Sequence, residues 1–286
     1  MSVTIRRARP SDAGACALII HQAFDKVFSE HGFRYSSGSV SSIEAFVARL
    51  IGDSRVYGVV AELNRKIIGS NFLDERDSIR GLGPTTVDPN CQGLGAGRKL
   101  VLAVVRRARE SKGIRLLQDS FNMQSLALYT SLGFEAREPI ALVSGKPRGR
   151  LPSDIEVRPI RKSDLGACNN LCHSVHGFAR TTELMDQFQA GFPWVAIRNK
   201  QITAYVSNLA SWRTSHGVAR TTEDMEAILL EASRLLDRIS FLLPFRQTEL
   251  FRWCLRNNFR VLQPMTYMSL GFYREPRGCY FPSIHS

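Results

Sequence analysis

Hydrophobic and polar positions change period repeatedly along the chain, and each change marks an element. Residues 13–24 carry apolar side chains at helical spacing behind Ser11-Asp12, a helix-start pair, and residues 41–51 repeat the pattern. Tyr57 to Glu62 and Ile67 to Leu73 are β-rich runs, and Asn64-Arg65 between them predicts a hairpin. A further strand, Leu82 to Val87, runs into a glycine-rich loop. The helix from about Gly95 to Ser111 aligns Leu100, Val101, Val104, Val105 and Ala108 on one stripe and stops at Gly113. Strand Arg115 to Ser120, helix Ser125 to Leu132 and a last strand after Phe134 follow. Alternating strands and helices of this kind predict the α/β class, with a mixed sheet.

The opening of this series recurs at an offset of 152 residues. Ile5 to Cys16 returns as Val157 to Cys168, and Arg6, Arg9, Ser11, Asp12, Gly14, Ala15, Cys16 and His21 have identical counterparts. Between the copies, Gly145-Lys146-Pro147-Arg148-Gly149-Arg150-Leu151-Pro152 is punctuated as a linker is. The expected organisation is two tandem domains, 1–146 and 153–286, joined by 147–152. The second half predicts a helix from Glu183 to Gln189, strands Trp194 to Ile197 and Ile202 to Leu209, a helix from Glu223 to Leu236, strand Ile239 to Leu243 and a helix from Gln247 to Asn257. A shorter echo lies within it, His176 to Glu183 returning as His216 to Glu223, each copy ending in a threonine helix start. The Cys279-Tyr280-Phe281-Pro282 tail is apolar enough to dock on a domain surface.

Composition narrows the function classes. With 286 residues, 44% hydrophobic and 22% charged, the chain is globular rather than disordered or low-complexity. It carries no apolar run of the ~18 residues a membrane span needs. Met1 to Arg7 shows no apolar segment behind its charges, so the expectation is a cytoplasmic protein. The net charge of +12 divides into +8 up to and including Arg150 (22 basic, 14 acidic) and +4 after it (16 basic, 12 acidic). Spread charge of this sign favours an anionic ligand. The six cysteines form no CxxC pair and too few bridges for a disulfide scaffold. Cys168, Cys172, His173 and His176 share one helix, where a packed face is the expectation and no metal is called for.

The chemistry-bearing segment is Val87-Asp88-Pro89-Asn90-Cys91-Gln92-Gly93-Leu94-Gly95-Ala96-Gly97-Arg98. Alternating glycines at a strand-to-helix turn let backbone N–H groups converge on an anion at a helix N-terminus, and a pyrophosphate is the expected guest. A Walker loop would need Gly-Lys-Ser/Thr, which Gly97-Arg98-Lys99-Leu100 does not supply. A Rossmann fingerprint would follow the first strand, whereas these glycines follow the fourth.

Val87-x-Pro89-x-x-Gln92-Gly93-x-Gly95-x-Gly97 resembles the acyl-CoA motif of the GNAT superfamily of acetyl-CoA-dependent N-acetyltransferases. Asn122-x-x-Ser125-x-x-Leu128-Tyr129-x-x-x-Gly133-Phe134 is similar to that family's second signature, and Ile5-Arg6-x-Ala8-x-x-x-Asp12 to its first strand and helix. The resemblance spans residues 3–143 and implies two tandem GNAT-like domains. It implies that Gln92, Gly93, Leu94, Gly95, Ala96, Gly97 and Arg98 hold the CoA pyrophosphate. Thr86 and Val87 would pair with the pantetheine arm, Asn122 would touch the cofactor, and Tyr129 would protonate the departing thiolate.

Many relatives carry a glutamate on the strand before the loop, and Arg80 to Thr86 has none. Asp74 and Glu75 are the candidate bases, with Glu62 behind them. Cys91 sits in the loop without a neighbouring histidine and is not read as a nucleophile. Leu250 to Phe259 resembles a degraded second signature, while Ser211 to Val218 stands where the second glycine loop belongs. The second domain is therefore expected to be a GNAT-like copy without the acyl-CoA loop. The implied function is direct transfer of acetyl from acetyl-CoA to a primary amine, small molecule or protein, in the N-terminal domain. No membrane, metal or specific nucleic-acid partner is expected, and homodimerisation is left open. A non-catalytic acyl-CoA sensor and a basic nucleic-acid- or ribosome-associated protein are the alternatives.

Overall fold

A computed structural model describes residues 2–35, 38–190 and 193–284. The chain packs as two compact units, Met1–Glu135 with Ser269–Gly271, and Ala136–Met268 with Phe272–Ser286.

In the first unit the elements are β1 (Thr4–Arg7), α1 (Ala13–Glu30), α2 (Val40–Gly52), β2 (Val56–Leu63), β3 (Lys66–Asp74), β4 (Ile79–Leu82), β5 (Thr86–Val87), α3 (Ala96–Arg107), β6 (Gly113–Asp119) and α4 (Met123–Ser131). The strands run in the order β1-β2-β3-β4-β6, all antiparallel except β4 with β6. The sheet is thus mixed, as the alternation of elements predicts. Asn64 and Arg65 take φ of 54° and 63°, the left-handed pair whose twist suits a two-residue hairpin. Phe72 packs into the cluster formed by α1 and α2. Asn71, its neighbour on β3, reaches the Leu100 carbonyl of α3 on the opposite face.

The strand expected over Leu82 to Val87 is broken. β4 pairs with β6 through Gly81 and with β3 at Gly81 and Leu82, whereas β5 pairs only with β3, Thr86 opposite Ser70 and Val87 opposite Gly69. Gly69 makes this close approach possible, because a Cβ there would lie 2.5 Å from the Thr86 carbonyl oxygen. The break leaves one edge of β5 unpaired by β6.

The second unit contains β7 (Glu135–Gly145), β8 (Ile155–Pro159), α5 (Leu165–His176), α6 (Thr181–Ala190), β9 (Trp194–Arg198), β10 (Gln201–Val206), β11 (Gly217–Ala219), α7 (Thr222–Ala232), β12 (Ile239–Pro244), α8 (Thr248–Arg256), β13 (Arg260–Gly271) and β14 (Cys279–Phe281). Its antiparallel sheet has the order β14-β11-β10-β9-β8, and β7 pairs with β12.

The sequence repeat has a physical content common to both units. Arg6 grips Asp12 through two N–H···O bonds of 2.7 and 3.0 Å, and Arg158 grips Asp164 at 2.6 and 3.0 Å. Each carboxylate also accepts a backbone N–H, from Arg9 or Arg161, at 2.7 Å. The arginine beside each aspartate holds its carboxyl below the ordinary carboxylate range. The repeated residues therefore close the turn from the first strand into the first helix. The two histidines of the shorter echo meet in the core, with the rings of His176 and His216 5.5 Å apart.

Two expectations for the second unit need correction. Ser211 to Val218 does not stand where a glycine loop would: residues 217 and 218 are already strand β11, and the strand-to-helix connection is Arg220-Thr221. The loop is deleted rather than replaced, and the Thr221 hydroxyl caps α7 by accepting the Asp224 N–H at 3.2 Å. The apolar tail does more than dock. As β14 it pairs along β11, with Val218 opposite Tyr280, and Phe281 packs on Phe241 of β12 with centroids 4.6 Å apart. The free strand edge that β5 presents in the first unit is here covered by the chain's own C-terminal strand.

On α5, Cys168, Cys172 and His176 are buried and His173 is exposed. They form a packed helix face, and among the described residues no group of three metal-ligating side chains converges. No described helix is long and apolar enough to cross a membrane.

Candidate functional site

The gap left by the broken strand is a cleft of about 350 Å³ in the first unit. One wall is the glycine turn. Gly93 and Gly95 have φ of 81° and 76°, the left-handed region that glycine alone enters without strain. Gly95 is the N-cap of α3, so the first free amides of that helix open toward the turn. Gly97 lies where α3 approaches its neighbours, with a Cβ position 3.4 Å from Leu128 and 3.7 Å from Val87.

Of the residues expected from the sequence, Thr86, Val87, Gln92, Gly93, Gly95, Ala96, Gly97, Arg98, Asn122 and Tyr129 all line this one cleft. Leu94 does not line it, and its side chain is 53% exposed. Asn122 caps α4, its Oδ1 accepting the Ser125 N–H at 3.0 Å. Cys91 also lines the cleft, which has no histidine among its described lining residues.

Asp74 and Glu75 lie elsewhere. Asp74 closes β3 and accepts from Arg76 Nε at 2.9 Å, while Glu75 accepts from Arg107 Nε at 3.1 Å. β3 meets the cleft near Gly69 and Ser70, and four further residues of strand carry Asp74 roughly 13 Å along the sheet. Their closeness in sequence to the β3 residues beside the cleft is lost because an extended chain gains distance faster than any other.

Tyr129 is buried, and its ring packs edge-on against Phe134 with centroids 5.7 Å apart. Burial pushes its phenol above the ordinary value, while a hydrogen bond with the Thr85 hydroxyl works the other way. Thr85 in turn donates to Asn71 Oδ1 at 2.8 Å, and the same oxygen accepts the Phe72 N–H at 2.8 Å. Those two donors fix Asn71 Oδ1 as an acceptor and commit the Thr85 proton to it. The Thr85 hydroxyl thus links Tyr129 to Asn71 at the broken strand.

Sequence reasoning missed Thr85 and the α1 wall, Ala23, Phe24 and Val27. Thr85 sits two residues before Val87 and was readable as part of the strand. The α1 residues lie more than 50 positions from the loop and carry no local signal.

Residues 20–134 match the family model described as the Acetyltransferase (GNAT) family. Residues 20–134 are thus similar to the GNAT acetyltransferase domain. The likeness in fold extends over the whole chain. A candidate acetyltransferase from Pyrococcus horikoshii superposes with a TM-score of 0.75 at 17% identity, covering 100% of this chain and 95% of that one. A GCN5-related N-acetyltransferase from Sphaerobacter thermophilus gives 0.66 at 13% identity, with 96% of each chain covered. A GCN5-related glucosamine N-acetyltransferase region of a fungal multi-domain β-N-acetylglucosaminidase gives 0.65 at 14% identity, covering 94% of this chain and 38% of that one. No curated protein matches the chain in sequence. The cleft beside β5 brings together residues of the glycine turn and of the Asn122–Tyr129 segment.

Proposed function

We propose that the N-terminal GNAT domain transfers an acetyl group from acetyl-CoA to a primary amine. The observation that carries this reading is that one cleft joins an amide-lined glycine turn, an unpaired strand edge and a buried phenol. The fit with acetyl-CoA is chemical. The turn at Gln92 to Arg98 offers converging N–H groups and a guanidinium to a pyrophosphate, with open space where Cβ atoms of Gly93 and Gly95 would be. The backbone of Thr86 and Val87 offers strand-type pairing to the amides of a pantetheine arm, and Asn122 lies on the cleft wall.

Acetyl-CoA supplies an activated thioester whose carbonyl a neutral amine attacks. The chain's own part is to hold the two in line and to stabilise charge as it moves. Tyr129 donates a hydrogen bond toward the sulfur as the thiolate leaves. Proton removal from the amine is given to water rather than to Asp74 or Glu75, both held by arginines outside the cleft. The second unit, with its loop deleted and its strand edge covered by β14, serves as a non-catalytic copy.

The test is isothermal titration of the whole protein with acetyl-CoA beside a Gly95→Trp variant. One site per chain is expected, lost in the variant. Two sites would give the second unit a cofactor of its own. No binding would overturn the enzyme reading, and binding without turnover across an amine panel would make the protein an acyl-CoA sensor.

A further inference from the structure

The second unit carries a groove of about 670 Å³ in which Lys146, Arg148, Arg238 and Arg260 surround one carboxylate, that of Asp237. Three segments distant in sequence build it: the end of β7 with the chain that follows, the residues just before β12, and the start of β13. β12 runs antiparallel to β7 with Ile239 opposite Gly145. The turn before β13 presses on the same glycine, since a Cβ on Gly145 would lie 2.5 Å from the Asn258 carbonyl oxygen. Arg238 and Lys146, one step beyond the Ile239–Gly145 pair, are thereby held opposite each other, and Arg260 follows the turn onto β13.

Like charges set opposite on paired strands are destabilising. Asp237 relieves Lys146, whose Nζ donates to Oδ1 at 3.2 Å. No described residue gives a hydrogen bond or an ion pair to the guanidinium groups of Arg148, Arg238 and Arg260. All four cationic side chains are exposed, so a ligand can reach them. Four cations against one carboxylate leave a net +3 within one concavity. The backbone sets this convergence, through a ladder pair and a glycine contact, so the strands cannot move apart to relieve the repulsion.

A ligand that matches the groove brings about three negative charges in a small volume. Guanidinium groups fork onto carboxylate and phosphate oxygens alike, but a lone carboxylate or a phosphodiester carries a single charge. No aromatic ring is among the described lining residues, so nucleic-acid bases find no stacking platform. The volume is that of a small-molecule site. We propose that the groove binds a compact phosphate-rich anion, of the class of polyphosphates and multiply phosphorylated small molecules. The second unit then has a ligand site of its own, whatever the first unit catalyses.

Calorimetric titration of the whole protein with inorganic tripolyphosphate tests this, in the wild type, in Arg238→Gln, in Arg260→Gln and in the double variant. A hydrogen-bonded charge pair contributes about tenfold in affinity, so each single variant should bind about tenfold more weakly and the pair about 100-fold. Asp237→Asn removes the competing carboxylate and frees Lys146, so it should bind more tightly than wild type. Without phosphate, Arg238→Gln should melt no lower than wild type, because it only relieves like charge. A lower melt would give Arg238 a structural role and overturn the proposal. Tripolyphosphate binding that survives in the double variant belongs to the glycine turn of the first unit and would overturn it as well. So would no binding at all, or tighter binding of a single-stranded oligonucleotide than of tripolyphosphate, which would make the groove part of a nucleic-acid surface.

Discussion

Replacing Tyr129 with phenylalanine removes one oxygen and leaves the ring in place. The edge-on packing against Phe134 at 5.7 Å is kept, so no cavity beyond a hydroxyl opens. The hydrogen bond to Thr85 is lost, but Thr85 keeps its bond to Asn71 at 2.8 Å. One neutral hydrogen bond contributes about 1 kcal/mol, so melting should fall by about 2–4 °C in a protein of this size. Turnover should fall far more. A positioned proton donor contributes roughly 10²–10⁴-fold, which is about 3–5 kcal/mol of barrier.

Acetyl-CoA affinity should be unchanged, because the donor acts on charge that develops only as the sulfur departs. Thiol release under saturating substrates reads the first quantity and calorimetric titration the second. The pH profile carries a separate signature. Burial raises the phenol above its usual value of 10, so the acid form persists across the neutral range. Its donor role should be lost only on the alkaline side of pH 10, as Tyr129 deprotonates. Wild-type turnover in the variant would remove Tyr129 from the reaction. An equal fall in turnover and in acetyl-CoA binding would make it a wall of the site rather than a donor.

Further outcomes follow from the rest of the molecule. Phe281→Ala should destabilise the second unit by about 3–5 kcal/mol, since this side chain is fully buried against Phe241 and β11, and denaturant unfolding would read it. A stability within error of wild type would mean that β14 is not integral to that sheet. Asp12→Asn should lower the melting temperature at pH 7 and converge with wild type under acid. The Asp12 carboxyl is depressed by Arg6, so its stabilisation is present above the unfolded value near 3.9 and fades as pH falls through the folded one. His216 predicts an earlier acid effect. It is buried neutral with its pKa pushed well below 6.5, so the unfolded chain gains a proton first and stability should begin to fall below about pH 6.5. His216→Gln should remove that part of the pH dependence in a series of melts.

The alternation of strands and helices, the hairpin at Asn64-Arg65 and the helix starts at Asp12 and Asp164 were legible because each is set by neighbours within a few residues. So was the glycine turn, since positive φ at Gly93 and Gly95 is a property of the residue type itself. The break after Leu82 was not legible. Leu82 to Val87 reads as one strand, but both its pieces run along β3 and only β4 keeps β6 on its other edge. The fate of the carboxylates was likewise tertiary: Asp74 and Glu75 sit close in sequence to the β3 residues beside the cleft, but an extended strand carries them to arginines 2 and 32 positions away. The aromatic wall of α1 and the cover that β14 gives to β11 depend on contacts across 50 residues or more, and local pattern holds no record of them. Sequence by itself determined which elements form and where the glycine turn falls. The tertiary structure decided where the sheet opens, which charges reach the opening and which edge of each unit is left free, because those are outcomes of competition for partners that lie far apart along the chain.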